Sequence, residues 1–206
     1  MEKPKTEQEE FWQSEFGDDY VKKRDKPCSL SNNLSLFSKI LLRTESIKSV
    51  IEFGANLGKN LVVIKELMPH VELSAVEINQ KAVEKLKLLD VEKVYCQSIL
   101  DYAVDYERDF VLSKGVLIHI NPDRLQDVYD LLYKTSRRYI CLAEYYNPKP
   151  VKVDYRGHKN KLFKRDFAGE MLDRFKDLKL LDYGFVYHRD NNFPQDDINW
   201  FLLEKV

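Results

Sequence analysis

What the chain lacks narrows it first. Cysteine is scarce: Cys28, Cys96 and Cys141 are odd in number, far apart and without a CxxC pair, so no disulfide framework is expected and the thiols read as small apolar groups in a reducing compartment. No apolar run approaches a membrane span, and the opening MEKPKTEQEE is charged where a signal peptide is apolar. Insertion and export are therefore not expected, and the expected location is cytoplasmic. An excess of one charge is missing too. With a formal net charge of -1 there is no global positive field to hold a polyanion, which disfavours DNA and RNA as general partners. Internal repeats and low-complexity tracts are absent. A chain of 206 residues needs no staples, because a domain of that order buries about 70% of its unfolded surface.

What is present centres on residues 50 to 60, VIEFGANLGKN. Val50 and Ile51 suit a strand, Glu52 to Gly58 spell ExGxxxG, and helical spacing resumes from Asn60 to Leu67. That order of strand, turn and helix is a nucleoside-binding βα unit. Gly54 and Gly58 lack a Cβ, so the backbone turns sharply and a ligand or the following helix approaches it closely. The next strand ends at Glu77 in SAVEIN, where a carboxylate accepts both ribose hydroxyls. A dinucleotide site would carry GxGxxG aimed at a pyrophosphate, and here the first glycine is missing. Glu52 is an anion where phosphate needs a cation; it suits an ammonium or a sulfonium. The pattern points to S-adenosylmethionine, and on ExGxxxG with Glu77 the chain resembles the class I methyltransferases.

The rest of the pattern alternates. Strands are expected at 48 to 53, 72 to 77 and 92 to 96, with helices at 58 to 68 and 79 to 89 between them. A fourth strand ends near Lys114, Pro122 opens a helix through Tyr133, RRYICLAEYY reads as strand, and Asp166 to Phe175 as helix. LKLLDYGFVYHR and DDINWFLLEK read as a closing antiparallel pair. Such alternation builds an α/β domain with a mostly parallel sheet covered on both faces. The resemblance makes it the Rossmann-like, seven-stranded methyltransferase fold with a C-terminal antiparallel hairpin. Residues 1 to 35, with Phe11, Trp12, Phe16 and Tyr20 at helical spacing, are expected as a helical cap or lid, and 36 to 206 as the methyltransferase domain. Residues 147 to 164 read as a long polar, basic connection.

The cofactor should lie over the carboxyl ends of the strands. Its expected contacts are Glu52, Phe53, Gly54, Ala55, Asn56 and Gly58 in the first turn, Glu77 and Ile78 after the second strand, and Lys114 with Gly115 at the fourth. Ser98 and Ile99 follow the third strand, where the family often holds adenine through an Asp. Ser98, the backbone at Ile99, or Asp101 takes that role here. Tyr20 and Arg24, one helical turn apart, are placed to meet the cofactor's carboxylate. His119, in KGVLIHI, sits where many family members carry a histidine near the methyl, and is the candidate general base. Its alternative role is to cap a helix or tie down the N-terminal segment. Tyr146, Tyr155, Arg156, Lys164 and Arg165 are the candidate substrate contacts, since clustered Arg and Lys suit a carboxylate or phosphate. Tyr155 and Lys159 spell YxxxK, which needs a helix where this segment reads as loop. Asp18 with Asp19 and Asp196 with Asp197 lack a co-ligand histidine, and no metal is expected.

Over nearly the whole chain, EFWQSEFGDDYVKKRD, EFGANLGKNL, KGVLIHINPD, AEYYNP, YRGHKNKLFKRDFAGEM and DYGFVYHRDNNFPQDDINWFLLEK resemble the pseudaminic acid biosynthesis-associated methylases. That resemblance implies O- or N-methylation of a small anionic acceptor, a sugar or nucleotide-linked sugar of a nonulosonic acid or surface-glycan pathway. Two other readings stand beside it: an RNA methyltransferase, and a cofactor-binding partner protein without turnover.

Overall fold

Five parallel strands order this protein, and their register decides what meets at one end. The structure is a computed structural model that describes residues 4–25 and 30–206; Cys28 lies outside the described residues. Two short helices open the chain, α1 (Glu7–Gln13) and α2 (Glu15–Arg24), followed by α3 (Ser31–Leu41). Then β1 (Ser49–Phe53), α4 (Lys59–Leu67), β2 (Glu72–Glu77), α5 (Gln80–Leu86) and β3 (Lys93–Cys96) alternate as expected. β4 (Arg108–Lys114), α6 (Leu125–Thr135), β5 (Ser136–Glu144), β6 (Val151–Tyr155), β7 (His158–Lys164), α7 (Phe167–Arg174), β8 (Leu178–Val186) and β9 (Ile198–Lys205) complete it.

The main sheet has the order β3-β2-β1-β4-β5-β9-β8. β3, β2, β1, β4 and β5 are parallel, and β9 runs antiparallel to both neighbours. This is the expected seven-stranded fold with its closing hairpin. Side chains alternate between two cores: Val50, Phe110 and Tyr139 face the layer with α3 and α4, while Ile51, Val111 and Ile140 face the layer with α6 and α7. All five residues of β1 are buried, as a strand covered on both faces must be.

Local chemistry fixes the helix starts. Thr6 caps α1 in a capping box with Glu9, Asn79 accepts from the N–H groups of Lys81 and Ala82 at α5, and Asp166 accepts from Gly169 at α7; each satisfies donors that a helix start leaves unpaired. Pro122 opens a single 3-10 turn that leads into α6.

Two features differ from the pattern reading. The N-terminal aromatics lie on two helices broken at Ser14, rather than on one. Residues 147 to 164 are not merely a connection: β6 and β7 form a separate two-stranded hairpin, turning at Arg156 and Gly157, which both have positive φ. That is the primed geometry whose twist suits a tight hairpin; β6 alternates over only five residues and β7 opens on a polar run, HKNK. Position 35 falls inside α3, whose Leu36, Phe37 and Ile40 belong to the main core. Among the described residues no helix is long and apolar enough to cross a membrane.

Candidate functional site

Strand register builds the site. Phe53 pairs with Val76 on one side and Ser113 on the other, so Gly54, Glu77 and Lys114 emerge at one level. The order reverses between β1 and β4, the place where open α/β sheets bind ligands. A cavity of about 580 Å³ lies there, a volume suited to a small molecule or cofactor.

Its floor is the glycine turn. Gly54 and Gly58 have φ of +70° and +69°, where a Cβ is strained. The Gly54 and Ala55 N–H groups donate to the Val76 carbonyl at 2.8 and 3.2 Å. Glu77 is buried and accepts from the backbone N–H of Asn56 at 2.7 Å and of Asn79 at 2.8 Å. Burial pushes its carboxyl pKa up, against those bonds. The Asn56 amide oxygen is buried without a hydrogen-bond partner.

Glu52 lies beneath the floor. Its Oε1 accepts from the Asn60 amide at 2.5 Å, and its Oε2 is buried without a partner. Burial pushes its carboxyl up to about 8, opposed by Asn60 and the Lys114 charge. Lys114 is half-buried in the cavity wall, and its ammonium makes no hydrogen bond or ion pair among the described residues. Burial lowers its pKa, with Glu52 acting in the other direction.

The roof comes from α1, α2 and the β6–β7 hairpin. Trp12, His119 and Tyr155 form one edge-to-face cluster, with His119 4.8 Å from each partner ring centroid. His119 Nδ1 lies 2.5 Å from the Lys161 carbonyl; a carbonyl only accepts, so Nδ1 carries the proton and Nε2 the lone pair. Burial pushes this imidazole down to about 4, against the Lys161 bond. The roof is tied shut where Gln8 donates to the Asn160 carbonyl at 2.9 Å and Lys161 to the Glu7 carbonyl at 3.2 Å. Arg24 lies 3.8 Å from Asp196 and over the Tyr20 ring, which Arg156 also faces.

Of the residues expected from sequence, Tyr20, Arg24, Gly54, Ala55, Asn56, Glu77, Ile78, Ser98, Ile99, Lys114, Gly115, His119, Tyr155 and Arg156 line this one cavity. Others do not. Phe53 packs in the second core against Tyr102, and a Cβ on Gly58 would lie 2.6 Å from Leu89 and 2.7 Å from Leu86, so Gly58 serves helix packing. Arg165 is paired with Glu170 at 2.6 Å, Lys164 lies over the Tyr145 ring, and Tyr146 is exposed near Phe201. Strand alternation and the hairpin turn these three away from the cavity.

Three further contributors lie outside the expected contacts, and of these only Tyr145, in the tyrosine-rich stretch after the fifth strand, has a sequence signal. Glu9 of α1 lines the cavity and accepts a hydrogen bond from Ser98 Oγ. Tyr145, just after β5, lines it as well. Glu144, buried at the end of β5, accepts from Ser113 Oγ at 2.9 Å and from the Val116 and Leu117 N–H groups at 3.1 Å, and so shapes the turn between Lys114 and His119. Burial pushes its carboxyl up to about 7. Among the described residues no cluster of three or more His, Cys, Asp or Glu converges as metal ligands.

No protein-family model matches the sequence, and no curated protein matches it. Solved structures do match its fold. The chain is similar to 1,6-didemethyltoxoflavin-N1-methyltransferase of Burkholderia thailandensis, solved with 1,6-didemethyltoxoflavin and S-adenosylhomocysteine, at 13% identity and TM-score 0.71, over 100% of this chain and 93% of that one. It is similar to magnesium protoporphyrin IX methyltransferase of Synechocystis with bound S-adenosylmethionine, at 10% identity and TM-score 0.68, over all of both chains. A SAM-dependent methyltransferase of Archaeoglobus fulgidus aligns at 15% identity and TM-score 0.66, over 94% of this chain and 100% of that one. The chain thus has the fold of the class I SAM-dependent methyltransferases.

Proposed function

We propose that this protein is an S-adenosylmethionine-dependent methyltransferase acting on a small anionic acceptor, a sugar or nucleotide-linked sugar of a nonulosonic acid or surface-glycan pathway. The observation that carries the reading is Glu77, a buried carboxylate fixed by two backbone N–H groups at the wall of a cavity above the strand ends. The cofactor, when bound, supplies a methyl group on a positively charged sulfur for in-line displacement by the acceptor's oxygen or nitrogen.

The residues fit that group. Glu77 retains lone pairs for the ribose hydroxyls, and the unpartnered Asn56 oxygen suits the ammonium of the amino-acid moiety. Tyr20 and Arg24 meet its carboxylate. Glu52 adds a negative potential beneath the turn when ionised. Trp12, His119 and Tyr155 exclude water, which aligns the nucleophile and strengthens the electrostatics. Lys114 and Arg156 present cations to the acceptor's carboxylate or phosphate, and residues 1 to 35 act as the cap.

His119 is neutral at physiological pH, with Nε2 as a hydrogen-bond acceptor for the acceptor's hydroxyl or ammonium. With a pKa of about 4 it orients that group more than it withdraws a proton in the ground state. Calorimetry tests the cofactor: S-adenosylmethionine and S-adenosylhomocysteine should bind and NAD should not, and the reverse would sink the reading. Methyl transfer screened over acidic and nucleotide-linked sugars tests the acceptor.

A further inference from the structure

The cavity wall beyond Glu77 has a distinct composition. Ile78, Ile99, Leu100 and Ile118 make it apolar, and its polar edge is Ser98 with Glu9. A purine base needs that combination: flat apolar contact for its faces and hydrogen-bond partners along its edge. The base of a nucleoside whose ribose sits on Glu77 has this wall beside it, because β2 and β3 are neighbours and Glu77 pairs with Cys96.

An adenine edge presents an amine, so it needs an acceptor. Ser98 offers little by itself, since its hydroxyl proton goes to Glu9 Oε1 and its oxygen already accepts from the Leu100 N–H at 3.0 Å. Among the described residues, three carboxylates line the cavity: Glu9, Glu77 and Asp196. Glu77 is engaged with the turn, and Asp196 lies beside Arg24. Glu9 is left, and it is held firmly. Its Oε2 accepts from the N–H groups of Lys5 at 2.6 Å and Thr6 at 2.8 Å, while Oε1 accepts the hydrogen bond from Ser98 Oγ and keeps one lone pair.

Resting on the reading above, we propose that Glu9 accepts the exocyclic amine of the cofactor's adenine, with Ser98 as its positioning residue. The carboxylate that reads the base is then carried by α1, outside the parallel sheet. α1 is pinned to the same wall, because Lys5 donates to the Leu100 carbonyl at 3.3 Å and pairs with Asp101. Base recognition and docking of the N-terminal helices therefore form one event.

The test compares binding of S-adenosylhomocysteine with S-inosylhomocysteine, in which a carbonyl oxygen replaces the amine, by calorimetry on wild type and Glu9→Gln. Glutamine keeps the capping box but turns an N–H donor toward the base. Wild type should prefer the adenine ligand about 10- to 100-fold, the range of one charge-assisted hydrogen bond. Glu9→Gln should lose or reverse that preference. Ser98→Ala, which leaves the α1 cap intact, should reduce it by a smaller factor. Wild-type binding with the same preference in both variants would overturn the role of Glu9 and leave the methyltransferase reading standing. Failure of wild type to bind either ligand would overturn both.

Discussion

The Glu77 carboxylate and the Asn56 backbone N–H stand 2.7 Å apart although they lie 21 positions apart in sequence. This bond joins the end of β2 to the glycine turn after β1, so one side chain both shapes the floor of the cavity and faces the proposed ribose. Glu77→Ala should weaken S-adenosylhomocysteine binding about 10- to 100-fold, on the usual strength of hydrogen bonds to a charged group. Calorimetry reads the affinity. A melting curve on the same variant reports the separate cost of leaving the Asn56 and Asn79 donors unpaired.

Gly54 is constrained from two sides. Its φ is +70°, and a Cβ there would lie 2.4 Å from Val116 Cγ2. Gly54→Ala should cost about 1–2 kcal/mol from the left-handed backbone alone, a fall in Tm of about 2–8 °C for a chain of this size. The added clash pushes on the turn that carries Lys114 and His119, so cofactor affinity should fall as well. A Tm equal to wild type would show that the turn relaxes freely.

Lys114 and Arg156 carry the proposed preference for an anion. Lys114→Met removes an unpaired, half-buried ammonium, so the melting temperature should stay level or rise, while KM for the anionic acceptor rises at least about tenfold. Arg156→Glu should raise that KM without lowering S-adenosylhomocysteine affinity. Arg165→Glu is the control: its partner is Glu170, so stability should drop instead.

His119 has a folded pKa of about 4 against an ordinary 6.5. The unfolded chain binds the proton first, so its contribution is present above pH 6.5 and is lost as pH falls through 4. The stability difference between wild type and His119→Gln should shrink between pH 7 and pH 4.5 in urea titrations. Any limb of the rate profile between pH 6 and 8 should survive in His119→Gln, because this imidazole does not titrate there.

Glu52 runs the other way. Its folded pKa of about 8 lies above the ordinary 4.5, so the folded protein holds the extra proton. Stability from this group is present below pH 4.5 and is lost as pH rises through 8. Wild type should therefore lose stability relative to Glu52→Gln between pH 5 and pH 8.5. Equal slopes for the two proteins would mean that Glu52 is ionised throughout.

Much of this was legible in sequence because it is local. The spacing of Glu52, Gly54 and Gly58 states a turn, and the alternation from Lys48 to Cys96 states parallel strands, since buried strands and amphipathic helices have different hydrophobic periods. Glu77 was legible because its position follows from where β2 must stop. Less was legible where polar residues do the folding. β6, VKVDY, alternates over only five residues and is mostly exposed, and β7 opens on the polar run HKNK, so their turn, which places Arg156 at the cavity, shows only in three dimensions. Arg165 and Lys164 read like neighbours of Arg156 in sequence, yet the hairpin sends them elsewhere.

Sequence by itself determined the order of the elements and the glycine turn, because each depends on contacts within a few residues, and it determined the carboxylate beside that turn because Glu77 ends β2. Tertiary structure alone decided that Glu9 reaches Ser98 and that Glu144 holds the turn after β4. It also decided that His119 donates its Nδ1–H to the Lys161 carbonyl and is kept neutral. Those bonds join segments far apart in the chain, and burial in a shared interior, which no spacing rule encodes, sets the charge each group carries.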